Sequence, residues 1–200
     1  MNFILASKSP RRKEILENLG LSFTVVTADA DETCHETDPE EYVKVLAIRK
    51  GRAVFDALQE SGKLTPDTVV IASDTVVVAE GEILGKPKDA ADARRMLSLF
   101  SGRAHRVISG VALLTAEKIA ACAEVTRVLF DAIPEVEIEQ YITTDEPYDK
   151  AGAYAIQGFA SLWITGIEGD YFNVVGFPVK RFADLLREEF GFSLAELIGG

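Results

Sequence analysis

Val69-Val70-Ile71-Ala72 and Val76-Val77-Val78 enclose Ser73-Asp74-Thr75, and this run constrains the fold more than any other segment. β-branched residues in an unbroken apolar series specify a buried strand over Thr68–Glu80. A carboxylate at its centre breaks the pattern, because an ionised group among apolar neighbours needs a cation, a metal or hydrogen-bond donors. Two arrangements meet that need: a fixed carboxylate facing a cleft, suited to act as a base or a metal ligand, or a turn between two short strands.

The remaining elements alternate around this run. Phe3–Ala6 reads as a strand, Pro10–Leu19 as a helix and Phe23–Thr27 as a strand. Asp38-Pro39-Glu40-Glu41 opens a long helix to about Glu60. Gly81 turns the chain into Ile83–Leu84, and Asp89 caps a helix ended by Ser101-Gly102. Arg106–Ala116 and Ile119–Phe130 read as a hairpin, and Pro134–Thr143 as a helix. The loop Asp145–Gly158 then leads to strands at Leu162–Ile167 and Tyr171–Val175 and a last helix from Pro178. Helical crossovers together with hairpins predict a mixed α/β sheet with flanking helices.

Several other residues depart from their surroundings. Ser7-Lys8-Ser9-Pro10-Arg11-Arg12-Lys13 places four cations at a helix start, with Ser9 at the N-cap and Pro10 at the first helical position. A helix N-terminus already carries partial positive charge, so this cluster is either a solvated basic turn or an anion site; a phosphate site accounts for more of it. Lys50 falls on the apolar stripe of the long helix with Leu46 and Val54, where it either snorkels to water or points toward Asp74. Glu32 lies in the acidic Asp29-Ala30-Asp31-Glu32, and Lys86 follows Gly85 as a further cation. Asp149–Gly158 mixes glycines, Tyr154 and Gln157 in a composition able to wrap a base or sugar.

A net charge of −11 argues against a nucleic-acid groove or an anionic membrane surface and favours a small anion that arrives with a divalent cation. Cys34 and Cys122 stand far apart without a CxxC spacing, as do His35 and His105. A metal would therefore be held by carboxylate oxygens, which points to Mg2+ or Mn2+. No apolar run approaches ~18 residues and none has the form of a signal peptide, so a cytoplasmic protein is expected. No P-loop and no GxGxxG is present.

Six short motifs occur in order: Leu5–Arg12, Ser73-Asp74-Thr75, Gly85-Lys86-Pro87, Ser101–Val107, Asp149–Gly158 and Asn173–Pro178. In these the chain resembles the Maf family of nucleoside triphosphate pyrophosphatases along nearly its whole length. The resemblance implies a single domain over residues 1–200, of two lobes around a central cleft, related to the inosine triphosphatase-type enzymes. It implies cleavage between the α- and β-phosphates with a divalent metal. Asp74 would be the proton acceptor, Glu32 would share the metal with Asp74, and Ser7, Arg11, Arg12, Lys50 and Lys86 would bind the triphosphate. Arg11, Thr75 and Gln157 are similar to the branch acting on dTTP and UTP. The resemblance also leaves room for a homodimer. The alternatives are a related pyrophosphatase preferring CTP or 7-methyl-GTP, and a nucleotide-binding regulator of septum formation.

Overall fold

The computed structural model describes residues 1–197; the last three positions of the expected 1–200 domain lie outside the described residues. The strands are β1 (Asn2–Leu5), β2 (Phe23–Val25), β3 (Thr68–Ala79), β4 (Glu82–Leu84), β5 (Ala104–Leu114), β6 (Ile119–Phe130) and β7 (Ile164–Glu168). The helices are α1 (Pro10–Asn18), α2 (Pro39–Glu60), α3 (Ala90–Phe100), α4 (Glu135–Tyr141), α5 (Tyr171–Val175), α6 (Val179–Phe190) and α7 (Leu194–Leu197). The sheet is mixed and seven-stranded, in the order β2-β1-β3-β5-β6-β7, with β4 paired to β3. The mixed α/β class expected from the sequence is the one observed.

The chain divides into two compact units. The first comprises Met1–Asp74, Ser109–Glu124 and the chain from Gly176 onward; the second comprises Thr75–Ile108 and Val125–Val175. In the first unit β1 runs parallel to both β2 and β3, with Leu5 opposite Val25 on one side and Ile71 on the other. Ala47, Val54, Phe55 and Leu58 of α2 bury against Ile4, Val70, Ala72, Ala112 and Leu114 of the sheet. Each large side chain buried in this way contributes about 1.5–3 kcal/mol, which fixes the helix on the strands. Gly110 sets how closely it lies, since a Cβ there would come within 2.5 Å of the Val43 carbonyl oxygen. Asp38 caps α2 by accepting from the backbone N–H groups of Glu40 and Glu41.

In the second unit Ala93, Met96, Leu97 and Phe100 of α3 bury with Val77, Val107, Val128 and Phe130. Two local expectations are corrected, and the N-cap expected at Ser9 is observed. Tyr171–Val175 is a helical turn rather than a strand, because Asp170 accepts from the Phe172 N–H and buried Asn173 donates to the Val107 carbonyl and to Thr126 Oγ1. The helix from Pro178 is followed by the short α7 and so is not the last. Ser9 occupies the N-cap of α1 without a side-chain capping bond; its own N–H donates to Ser7 Oγ at 3.2 Å.

Candidate active site

β3 runs unbroken through Ser73-Asp74-Thr75, which removes the turn reading of Asp74. Asp74 is 7% exposed, so its charge needs a partner. Lys50 supplies one: its Nζ donates to Asp74 Oδ1 at 2.6 Å and lies 3.2 Å from Glu32 Oε1. One ammonium therefore joins two carboxylates that are 42 residues apart in sequence. Lys50 reaches Asp74 from the packed face of α2, so it does not simply snorkel to water.

Strand direction explains why these groups converge. Ser7 follows the carboxyl end of β1, Glu32 lies in the segment after the carboxyl end of parallel β2, and Asp74 lies just past the stretch of β3 that pairs with β1. Carboxyl ends of parallel strands are where open α/β sheets bind ligands, because the connecting segments leave room there.

Arg12 ties the same corner together. Its Nε donates to the Gly176 carbonyl at 2.9 Å, and its terminal N–H groups donate to the Ser73 carbonyl at 2.7 Å and Ser7 Oγ at 3.4 Å. Ser73 Oγ also donates to the Gly176 carbonyl, at 3.3 Å. Three of the six motifs meet at this one guanidinium. Burial pulls its pKa below the ordinary arginine value, Asp74 and Glu32 push it back up, and neighbouring Arg11 opposes them. Tyr42 shares this field: burial raises its hydroxyl pKa first, and the charges of Asp74, Cys34 and Glu32 add to the rise. In the sequence Tyr42 falls on the apolar stripe of α2, two helical turns before Lys50, and that spacing is the signal available there.

The other proposed residues, Thr75, Lys86 and Gln157, belong to the second unit. Thr75 is half-buried in β3, whereas Lys86 and Gln157 are exposed. The segments carrying Lys86 and Gln157 are joined by a backbone bond from Gly152 N–H to the Gly85 carbonyl at 3.0 Å. Tyr154 anchors the Gln157 loop through a 2.7 Å hydrogen bond with buried His105 Nε2, inside a ring cluster with Phe100 and Phe130. Gly152 in this loop is required by both backbone conformation and packing. Gly152 has φ +71°, and a Cβ there would meet Val77 Cγ2 at 2.7 Å.

A model of the family described as Maf-like protein matches residues 2–189. The chain belongs to the Maf family. Among relatives, proteins named dTTP/UTP pyrophosphatase from Caldanaerobacter subterraneus subsp. tengcongensis and Geobacillus sp. strain WCH70 are 47% and 49% identical to this Maf protein. These alignments cover 96% of this chain and 90% of the first relative, and 89% and 92% for the second pair. A protein of the same name from Clostridioides difficile strain 630 is 45% identical over 97% of this chain and 98% of its own. The solved structure of the Staphylococcus aureus Ham1 protein overlaps 65% of this chain and 72% of its own at a TM-score of 0.47 and 15% identity, a likeness too partial to bear on the fold.

Among the described residues no group of three or more His, Cys, Asp or Glu side chains converges as a ready-made metal cage. The pair Glu32 and Asp74, already gathered around one cation, nevertheless matches the hard, anionic oxygen donors that Mg2+ and Mn2+ take. Such ions commonly bind through one or two carboxylates and fill their other positions with water and phosphate oxygens. The donor set fits.

Proposed function

We propose that this Maf protein is a nucleotide diphosphatase that hydrolyses dTTP and UTP to the nucleoside monophosphate and pyrophosphate. The observation that carries the reading is Lys50 bridging Glu32 and Asp74 at the carboxyl ends of parallel strands, beside Ser7 and Arg12. Relatives at 45–49% identity bear the corresponding name over most of their length.

Asp74 accepts the proton of the attacking water, because a carboxylate held in the middle of a strand keeps its aim without reorganising. Lys50 holds Asp74 in place and, with Arg11, Arg12 and Lys86, offsets the charge of the triphosphate, while Ser7 contributes a hydroxyl to a phosphate oxygen. Glu32 and Asp74 would hold the divalent ion, which supplies charge neutralisation at the phosphates. Thr75, Arg11 and Gln157 select the base. The Gln157 amide both donates and accepts, matching the N3–H donor and an adjacent carbonyl acceptor of a uracil or thymine edge. In this reading the chain works as one Maf-like domain, in the cytoplasm, clearing pyrimidine nucleotides, and pairs as a homodimer.

No described helix is long and apolar enough to cross a membrane.

The test is a panel of dTTP, UTP, CTP, 7-methyl-GTP and ITP with Mg2+ or Mn2+, quantifying monophosphate and pyrophosphate together. Preference for dTTP and UTP, moved toward 7-methyl-GTP by Gln157→Glu, is the expected outcome. An unchanged preference in Gln157→Glu removes that residue's role. Tight nucleotide binding without cleavage turns the assignment to a regulator.

A further inference from the structure

Glu32 is an unusual place for a metal ligand. Its side chain is 64% exposed, and it lies in the irregular segment 26–37 that links β2 to α2. Ordering an exposed carboxylate on such a segment costs conformational entropy, so its aim must be imposed from elsewhere. α2 provides a fixed surface, anchored by buried Leu46, Ala47, Val54 and Phe55. From that surface Arg49 donates through one terminal nitrogen to the carbonyl oxygens of both Asp31 and Thr33, the two residues flanking Glu32. Asp31 closes the same turn by accepting from the Thr33 N–H at 2.9 Å. The next residue of the helix, Lys50, takes the Glu32 carboxylate itself.

We infer that Arg49 is a positioning residue for the divalent-metal site: it clamps the backbone on either side of Glu32, so that the carboxylate faces the ion shared with Asp74. This rests on the reading of Glu32 as a metal ligand. The inference has a sign that separates it from simple electrostatics. Arg49 is a cation close to the site, so its field alone repels a divalent ion, and removing it would tighten metal binding. Loss of the clamp weakens metal binding instead. Partners that orient a metal ligand are commonly worth 10–100-fold in metal affinity or activity.

The experiment titrates Mn2+ by electron paramagnetic resonance, alone and with saturating α,β-imido-dUTP, whose bridging nitrogen blocks hydrolysis. Arg49→Met is expected to weaken Mn2+ about tenfold, at the lower end of that range. Arg49→Lys, which keeps the charge and one donor group, is expected to recover part of the loss. Arg52→Met is the charge control: Arg52 lines the same surface cavity as Arg49 and Asp31. It should leave Mn2+ affinity unchanged or slightly raised. A merely structural role for Arg49 would lower the unfolding midpoint and the metal-free affinity for the analogue, and both are measured. If Arg49→Met folds poorly, Arg49→Gln carries the same comparison. Wild-type or tighter Mn2+ binding in Arg49→Met or Arg49→Gln overturns the clamp. Glu32→Gln separates the two claims. If it weakens Mn2+ while Arg49→Met does not, only the clamp fails; if it has no effect, the metal role of Glu32 fails and the clamp with it.

Discussion

In the first unit the motif residues meet through charge. Lys50 lies between Glu32 and Asp74, and Arg12 reaches Ser7, Ser73 and Gly176 from one guanidinium. In the second unit they meet through neutral contacts: Gly152 bonds to Gly85 and packs on Val77, and Tyr154 bonds to His105 among Phe100 and Phe130. The consequences of disturbing each should differ. An exposed charge such as Glu32 is screened, and a buried one such as Asp74 sets the cost of its desolvation against its pairing. Their net contribution to folding is therefore modest, yet they decide what chemistry a site can do. Buried rings and a buried imidazole contribute strongly to folding and only indirectly to chemistry.

Asp74→Asn is the largest expected break in this contrast. It removes the proposed proton acceptor and one carboxylate of the pair, and should lower turnover by a factor of ~10² or more. Lys50 keeps Glu32 as a partner, so the unfolding midpoint should move little. Single-turnover kinetics alongside urea unfolding check both parts. Near-normal turnover would show that another group is the base.

His105 offers the opposite case, a large effect on stability with little on chemistry. Burial lowers its pKa to about 3, against an ordinary 6.5. The folded imidazole therefore stays neutral while the unfolded one takes up a proton below 6.5. Its contribution is fully present above that pH and is lost progressively as pH falls from 6.5 toward 3, with a limiting slope of about 1.4 kcal/mol per pH unit. Between pH 7 and pH 5 this amounts to about 2 kcal/mol of stability. His105→Phe removes that limb and leaves Tyr154 without its partner. The variant should be less stable at neutral pH and shallower on the acid side. Urea unfolding between pH 5 and 8 measures the slopes, and parallel curves for the two proteins would show that His105 does not titrate in this way.

The same contrast explains what could be read from the sequence. Asp74 was legible because a carboxylate in a β-branched run contradicts its surroundings, and Lys50 because it interrupts a helical stripe. Element limits followed from Asp38, Gly81 and Asp89, whose local chemistry acts wherever they occur. Tyr171–Val175 was not legible as a helix. Four of its five residues are apolar or aromatic and suit a strand equally well, and what decides the matter is Asn173 reaching Val107 and Thr126, both far away in sequence. The Asp149–Gly158 loop likewise reads as flexible, until Val77 and Gly85 are seen to hold Gly152. Arg49 carried no signal at all. An arginine on a helix surface is ordinary, and its role exists only once the segment around Glu32 has folded back onto α2.

Arg12 stands on the boundary between the two kinds of residue and supplies the smallest and sharpest test. As a phosphate ligand alone, it could become lysine with a loss confined to substrate binding, since the charge is kept. Its planar fork, however, also serves the Ser73 and Gly176 carbonyls, and an ammonium offers no equivalent geometry. Each hydrogen bond of this kind contributes about 0.5–1.5 kcal/mol, so Arg12→Lys should lower folding stability by about 1 kcal/mol as well as raise KM. Urea unfolding in the absence of nucleotide reads the first effect free of the second. A variant as stable as the wild type would place Arg12 wholly on the chemical side. Lost stability with an unchanged KM would make it a strut for the strand that carries Asp74.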